Sequence, residues 1–93
     1  PQVANNFANL LRQTGEREQA LALYDRALAL QPSYRDAAFN KALLLQDMGE
    51  QTAALGLLEG ICAGNPADAR AQSARGSALR ALMRHAEAAV AYD

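Results

Sequence analysis

The feature that most constrains this 93-residue chain is an internal repetition with a period of 34 residues. Pro32 and Pro66 lie 34 positions apart, and so do Gly15 and Gly49. Four further columns with the same offset hold small or large side chains, namely Ala8, Ala42 and Gly76; Ala20, Ala54 and Ala88; Leu11, Leu45 and Leu79; and Tyr24, Leu58 and Tyr92. A fixed period of this length is typical of stacked units that bury a shared core.

Each 34-residue unit contains two amphipathic patterns, because apolar residues recur three and four positions apart on both sides of the central glycine. In the first unit we expect a helix from about Gln2 to Thr14, with Phe7, Ala8 and Leu11 on one face. We expect a second helix from about Arg17 to Leu30. Its apolar face is formed by Ala20, Leu23, Tyr24, Ala27, Leu28 and Leu30.

Glycine and proline mark the ends of these helices. Gly15 and Gly49 can adopt the left-handed conformation that ends a helix, and Pro32 and Pro66 cannot continue one. Each unit is therefore predicted to be a helix-turn-helix. In the third unit Met83 stands at the position of the turn glycine.

These motifs resemble the tetratricopeptide repeat, whose signature is W-x2-L-G-x2-Y, then A-x3-F, then P over 34 residues. The first unit has Ala4-x2-Phe7-Ala8-x2-Leu11, then Ala20-x3-Tyr24, then Pro32. The second and third units follow the same pattern, the third as far as Asp93. They depart from it at Lys41 and Arg75, which replace an apolar residue, and at Gln72, which replaces the bulky first position.

The resemblance implies an all-α fold, a right-handed superhelical solenoid of antiparallel helix pairs. It implies two full repeats, 1–34 and 35–68, and most of a third, 69–93, within one domain. Helices approach closely only where the side chains at their crossing are small. We expect such crossings at Ala8, Ala20, Ala27, Ala42, Ala54, Gly76 and Ala88.

Charge and composition argue against several classes of function. The formal net charge is −1 and no apolar run approaches the roughly 18 residues that span a bilayer, so we expect neither a nucleic-acid partner nor a membrane partner. His85 is the single histidine, whereas zinc needs three or four converging ligands. The glycines form no phosphate-binding loop. We therefore expect no enzyme activity, no metal and no cofactor.

Cys62 is the single cysteine, so it cannot form an internal disulfide. It lies in an apolar stretch that is typical of a helix-packing surface. A reducing compartment is compatible with this, and a cytoplasmic location is favoured. The high content of alanine and arginine suggests a bacterial source.

In the family that this chain resembles, the first helix of each unit lines a concave surface that binds an extended peptide or a partner helix. The resemblance therefore implies a protein or peptide partner. The corresponding residues here are Gln2, Asn5, Asn6, Asn9, Arg12, Gln13, Asp36, Phe39, Asn40, Leu43, Gln46, Asp47, Arg70, Ser73, Ser77 and Arg80.

Asparagine is frequent in this set, and a carboxamide can both donate to and accept from a peptide backbone. Asn6 and Asn40 are 34 positions apart and are expected to stack about 10 Å apart. This is similar to the asparagine ladder in the repeat region of O-linked N-acetylglucosamine transferases, which Ala74 interrupts in the third unit. Phe39 is either a hot spot for a partner or a residue that packs on the next unit.

A related subfamily holds the C-terminal carboxylate of heat-shock chaperones with basic residues and asparagines. Asn9, Asn40 and Arg70 fit that clamp, but Asn5 and Ala74 stand where it needs basic residues. The charges also divide by unit: three bases face three acids in the first, two face five in the second and four face two in the third. Such a groove would orient a partner, although solvated helix faces explain the same charges.

Three alternatives to a simple scaffold remain open. In the first, the chain is a recognition arm of a larger glycosyltransferase-like or sulfotransferase-like enzyme. In the second, it binds RNA as a related helical-repeat family does. In the third, it is a self-assembling structural module. The acidic middle unit argues against RNA. Homo-oligomers would form through an uncapped C-terminal end that includes Val90 and Tyr92.

Overall fold

The computed structural model describes the backbone of residues 2–92 and the side chains of residues 2–83. Within this range the chain is all-α. The helices are α1 (Gln2–Gln13), α2 (Arg17–Leu30), α3 (Arg35–Asp47), α4 (Gln51–Gly64) and α5 (Ala69–Tyr92). The predicted fold class, a helical-repeat solenoid, is confirmed.

The turns inside the first two units follow from their glycines. Gly15 has a φ of +86° and Gly49 a φ of +82°, which is the left-handed region that glycine enters without a steric penalty. The amide of Glu16 then donates to the carbonyl of Leu11 at 2.9 Å, and that of Glu50 donates to Leu45 at 2.8 Å. These bonds satisfy carbonyls at the ends of α1 and α3, as in a Schellman motif.

The third unit departs from the predicted helix-turn-helix. Helix α5 runs without interruption from Ala69 to Tyr92. Met83 occupies the position of Gly15 and Gly49, and a side chain with a Cβ disfavours the left-handed conformation that reverses the chain there. The helix therefore continues through the place where the first two units turn.

Asp68 begins α5. Its Oδ1 atom accepts hydrogen bonds from the amides of Ala71 (3.3 Å) and Arg70 (3.1 Å), as an N-cap carboxylate does. The hydrogen bond from Ala71 is the largest cause that lowers the pKa of Asp68 below its ordinary value of 3.8; Arg70 lowers it further, and desolvation opposes both.

Acid is expected to weaken this cap. Because the pKa of Asp68 is lower in the folded chain than in the unfolded one, its contribution is present above the unfolded pKa and is lost as the pH falls through the folded pKa. The variant Asp68→Asn keeps an N-cap acceptor but cannot titrate. Circular dichroism melts between about pH 5 and about pH 2.5 should show a smaller fall of Tm for this variant. Equal falls would contradict the assignment.

The helices stack in sequence, so that α2 packs on α1 and α3, while α4 packs on α3 and α5. Two buried clusters join the units across their boundaries. The first contains Ala8, Leu11, Ala20, Tyr24 and Leu44, and the second contains Ala42, Leu58, Ile61, Cys62 and Ala71. Each cluster includes one residue of the following unit, Leu44 in the first cluster and Ala71 in the second, so the buried core continues from one unit to the next.

The predicted close crossings are confirmed at five of the positions whose side chains are described. Ala8, Ala20, Ala27, Ala42 and Ala54 are completely buried. Cys62 is buried as well, which confirms its packing role. The crossing predicted at Gly76 is wrong, because this residue is half-buried and an added Cβ would meet no neighbouring helix within 4 Å. Ala88, Val90, Tyr92 and His85 lie outside the residues whose side chains are described.

Three apolar residues do not lie in the core as the periodicity predicts. Phe7 and Leu30, expected on the buried faces of α1 and α2, are exposed. Leu79 is exposed although Leu11 and Leu45, in the same column, are buried. In the first unit Leu11 packs in one cluster with Ala20 and Tyr24 of the second helix of its pair, whereas the continuous α5 does not fold back in this way.

Candidate partner-binding surface

Helices α1, α3 and α5 form one side of the stack, and α2 and α4 form the other. Helix α3 contacts both α1 and α5, whereas α2 and α4 make no contact with each other in the part of the chain that is described. A stack whose helices touch on one side and separate on the other bends towards the touching side. This contact pattern indicates that the first helices of the units lie on the inner side of the stack, and we call the surface that they form the concave surface.

The structure divides the predicted site residues by exposure. Most keep exposed side chains: Gln2, Asn6, Gln13, Asp36, Asp47, Arg70, Ser73, Ser77 and Arg80. Others are half-buried: Asn9, Arg12, Phe39, Asn40, Leu43 and Gln46. Asn5 alone among the predicted set is buried.

Asn5 is only 4% exposed, so it does not present its carboxamide to a partner as the sequence suggested. Its Oδ1 atom accepts a hydrogen bond from Nδ2 of Asn40 at 3.4 Å, which is long for such a bond. Asn5 therefore links α1 to α3 inside the stack. The periodicity places it on the first-helix face but does not reveal that α3 covers it.

Asn9 also has a partner within the fold. Its Oδ1 atom accepts a hydrogen bond from the hydroxyl of Tyr24, whose side chain is completely buried. Burial raises the pKa of the Tyr24 phenol, and the nearby positive charge of Arg12 lowers it in part. This contact fixes α1 against α2 and leaves the Asn9 amide group as its remaining donor.

Phe39, Asp36 and Arg70 form a cluster between α3 and α5. The Arg70 guanidinium lies 4.7 Å from the centre of the Phe39 ring, and its Nη2 atom is 3.4 Å from Oδ1 of Asp36. Phe39 also packs against the second core cluster. It is half-buried, so its ring serves the contact between units while part of its surface stays open.

Gln46 makes a second link between α3 and α5. Its Nε2 atom donates to the backbone carbonyl of Ala74 at 3.0 Å. Polar side chains on this layer therefore connect neighbouring units at several points. Hydrogen bonds within the chain itself therefore hold this surface in place.

Two surface features were not identified from the sequence. A cleft of about 520 Å³ lies beside α4, where Gly56, Gly60 and Gly64 leave the helix backbone open. The same columns in α2 hold the larger residues Ala22, Arg26 and Leu30. The spacing of the glycines, four residues apart, is the signal that would have found this cleft.

The second feature is a group of exposed apolar side chains on α1, which includes Val3, Phe7 and Leu10. Comparison of each column across the three units would have revealed it. Among the described residues, no histidine, cysteine and carboxylate side chains are grouped to hold a metal ion. No described helix has the length and apolarity to cross a bilayer.

The described architecture agrees with a comparison against known families. Residues 8–49 match the TPR repeat. This stretch runs from the middle of α1 through α2 and α3 to Gly49, so it contains the first turn glycine, the Pro32 column and the interface between the first two units. The match supports a tetratricopeptide-repeat family, and repeats of this kind generally mediate protein-protein interactions and are typically non-catalytic.

A relative in Methanocaldococcus jannaschii shares part of the sequence. It is an uncharacterized protein that is 51% identical to this chain over 35 residues. The aligned stretch covers 38% of this chain and 41% of the relative. The similarity is thus about one repeat long, and the chain spans less than half of the relative's length.

Proposed function

We propose that this chain is a protein-interaction scaffold whose concave surface, formed by α1, α3 and α5, binds an extended peptide or a partner helix. The contact of α3 with both α1 and α5, in a stack whose α2 and α4 do not contact each other in the described residues, is the observation that carries the proposal. The match of residues 8–49 to the TPR repeat supports it.

Exposed polar groups on this surface provide the expected contacts. Asn6 is exposed on α1, and Ser73 and Ser77 are exposed on α5. Asn40 uses one N–H for Asn5, so its carbonyl and its second N–H are available to a peptide backbone. In this proposal Asn6 and Asn40 form a short asparagine ladder that contacts the peptide backbone. Asn5 holds the side chain of Asn40 in position by accepting its hydrogen bond.

The charges on the two inner helices would orient the partner. Helix α3 carries the exposed carboxylates of Asp36 and Asp47, and α5 carries the exposed guanidinium groups of Arg70 and Arg80. Asp36 and Arg70 partly neutralise each other. Asp47 and Arg80 then give the surface its polarity, so a partner with a basic and an acidic end is preferred.

The same surface would serve a recognition arm of a larger enzyme, because binding of a peptide substrate by a repeat array needs no catalytic group in the array itself. Self-assembly through the C-terminal end involves Val90 and Tyr92, which lie outside the described side chains. Neither role changes the assignment of the concave surface.

Selection of peptides from a random library followed by affinity measurements tests the proposal. The variant Asn6→Ala removes one exposed carboxamide from the concave surface, and Gln19→Ala removes one from the opposite side of the stack. A lost hydrogen bond of about 0.5 to 1.5 kcal/mol corresponds to about two- to twelvefold weaker binding for Asn6→Ala. The affinity of Gln19→Ala should equal that of the wild type.

Two outcomes would contradict the proposal. The library yields no peptide that binds the wild-type chain, or the selected peptides lose affinity for Gln19→Ala but not for Asn6→Ala. Circular dichroism of both variants excludes a general loss of helix as the cause.

A further inference from the structure

The guanidinium group of Arg70 lies on the concave surface with an aromatic ring on one side of it. It is 4.7 Å from the centre of the Phe39 ring, a distance at which a cation is attracted to an aromatic face. The Arg70 side chain is nevertheless 57% exposed, so its guanidinium group is accessible from the side opposite the ring. A planar guanidinium group stacks on aromatic faces, and here only one of its two sides is occupied by a ring of the chain.

Two carboxylates of the chain lie close to the N–H groups of Arg70. Oδ1 of Asp36 is 3.4 Å from Nη2, and Oδ1 of Asp68 is 3.6 Å from Nε. The Asp68 carboxylate accepts hydrogen bonds from the amides of Ala71 and Arg70, and its side chain is only 9% exposed. The positive charge of Arg70 is therefore already compensated from within the chain.

These charges argue against one class of partner. Both aspartates are ionised at neutral pH, so Asp36, Asp68 and Arg70 together carry one net negative charge. A carboxylate that a partner brings to Arg70 would meet two acids at short range, and like charges repel each other. The C-terminal carboxylate that the chaperone-binding subfamily holds is thus an unfavourable occupant, although Arg70 fits the position of that clamp.

The arrangement distinguishes the α3–α5 contact from the α1–α3 contact. One unit earlier, the column of Phe39 holds Asn5 and the column of Arg70 holds Asp36. Asn5 is buried and accepts its hydrogen bond from Asn40, so that contact offers neither a ring nor a guanidinium group. The feature is therefore confined to one place along the concave surface.

We infer that Arg70, supported by Phe39, is a subsite for an aromatic side chain of the partner, which stacks on the open side of the guanidinium group. The inference rests on the proposed function, because it places the partner on the concave surface, and it adds the chemistry of one partner residue. An aromatic side chain gains the contact with the cation without adding a charge near Asp36 and Asp68.

Selection from a random peptide library on the full chain tests the inference. Peptides that contain Phe, Tyr or Trp should be enriched over the unselected library. Arg70→Lys keeps the positive charge but removes the planar group, so this enrichment should disappear. Arg80→Lys makes the same change at another exposed arginine of α5 and should leave the enrichment as it is in the wild type.

Affinity measurements by fluorescence anisotropy then identify the contact. A selected aromatic peptide is compared with the same peptide after its aromatic residue is replaced by Leu, on the wild type and on Arg70→Lys. The replacement should weaken binding to the wild type about two- to fivefold more than binding to Arg70→Lys, which is the range for an exposed cation–π contact. Circular dichroism of the variants excludes a loss of helix as the cause.

The results separate a failure of this inference from a failure of the proposed function. The inference alone is wrong if peptides bind and Asn6→Ala weakens them, yet aromatic residues are not enriched or Arg70→Lys retains the enrichment. It is also wrong if acidic residues are enriched instead and amidation of the peptide C-terminus weakens binding. A library that yields no binding peptide overturns both the proposed function and the inference.

Discussion

Replacement of Tyr24 by alanine is expected to lower the free energy of unfolding by about 3 to 5 kcal/mol, the range for removal of a large aromatic side chain from a core. Tyr24 is completely buried in the cluster that joins α1, α2 and α3. Its loss leaves a cavity at the boundary between two units. Urea denaturation followed by circular dichroism measures the change.

The variant Tyr24→Phe is the matched control for this prediction. It keeps the ring in the core but removes the hydroxyl that donates to Asn9. The expected decrease is about 0.5 to 1.5 kcal/mol, the range for one hydrogen bond. If Tyr24→Ala destabilises the chain no more than Tyr24→Phe does, the ring does not hold the two units together.

The second large effect is expected from Ala20→Leu. Ala20 is completely buried where α1, α2 and α3 meet, and no space is left for three further carbon atoms. Overpacking of this kind typically destabilises a core by about 1 to 3 kcal/mol. The change should appear as a lower Tm in thermal denaturation, with hydrogen exchange increased first in α1 and α2.

Ala22→Leu provides the comparison, because Ala22 lies on the same helix but is exposed. A surface substitution between two good helix formers should change the free energy of unfolding by no more than about 0.5 kcal/mol. Ala54→Leu, at the equivalent buried position of α4, should behave as Ala20→Leu does. An unchanged Tm for Ala20→Leu would refute the close crossing.

Much of the fold could be predicted because its determinants are local or periodic. Gly15 and Gly49 end helices through their own backbone conformation, and the φ angles agree with that prediction. The column of Ala20 and Ala54 is buried in both units because the same neighbour recurs after 34 residues. At these positions, burial in one repeat predicts burial in the next.

The candidate site was harder to predict, because the use of a polar side chain depends on what lies opposite. Asn5 and Asn6 are adjacent in the sequence, yet Asn5 is buried against α3 and Asn6 is exposed. Both residues are asparagines, so only the position of α3 against α1 explains why one is buried and the other exposed. Gln46 likewise finds its partner, the carbonyl of Ala74, 28 residues away.

By itself, the sequence determined the period, the helix boundaries of the first unit, the turn glycines of the first two units and most of the small residues at the crossings, since these depend on side-chain size and backbone preference. The tertiary structure alone decided which members of a column are covered. Leu10 and Leu44 occupy the same column, but Leu10 is exposed, whereas Leu44 is buried against Ala20 and Tyr24 of α2. Burial depends on the neighbouring helix as much as on the residue itself, and the period alone does not show which positions a neighbouring helix covers.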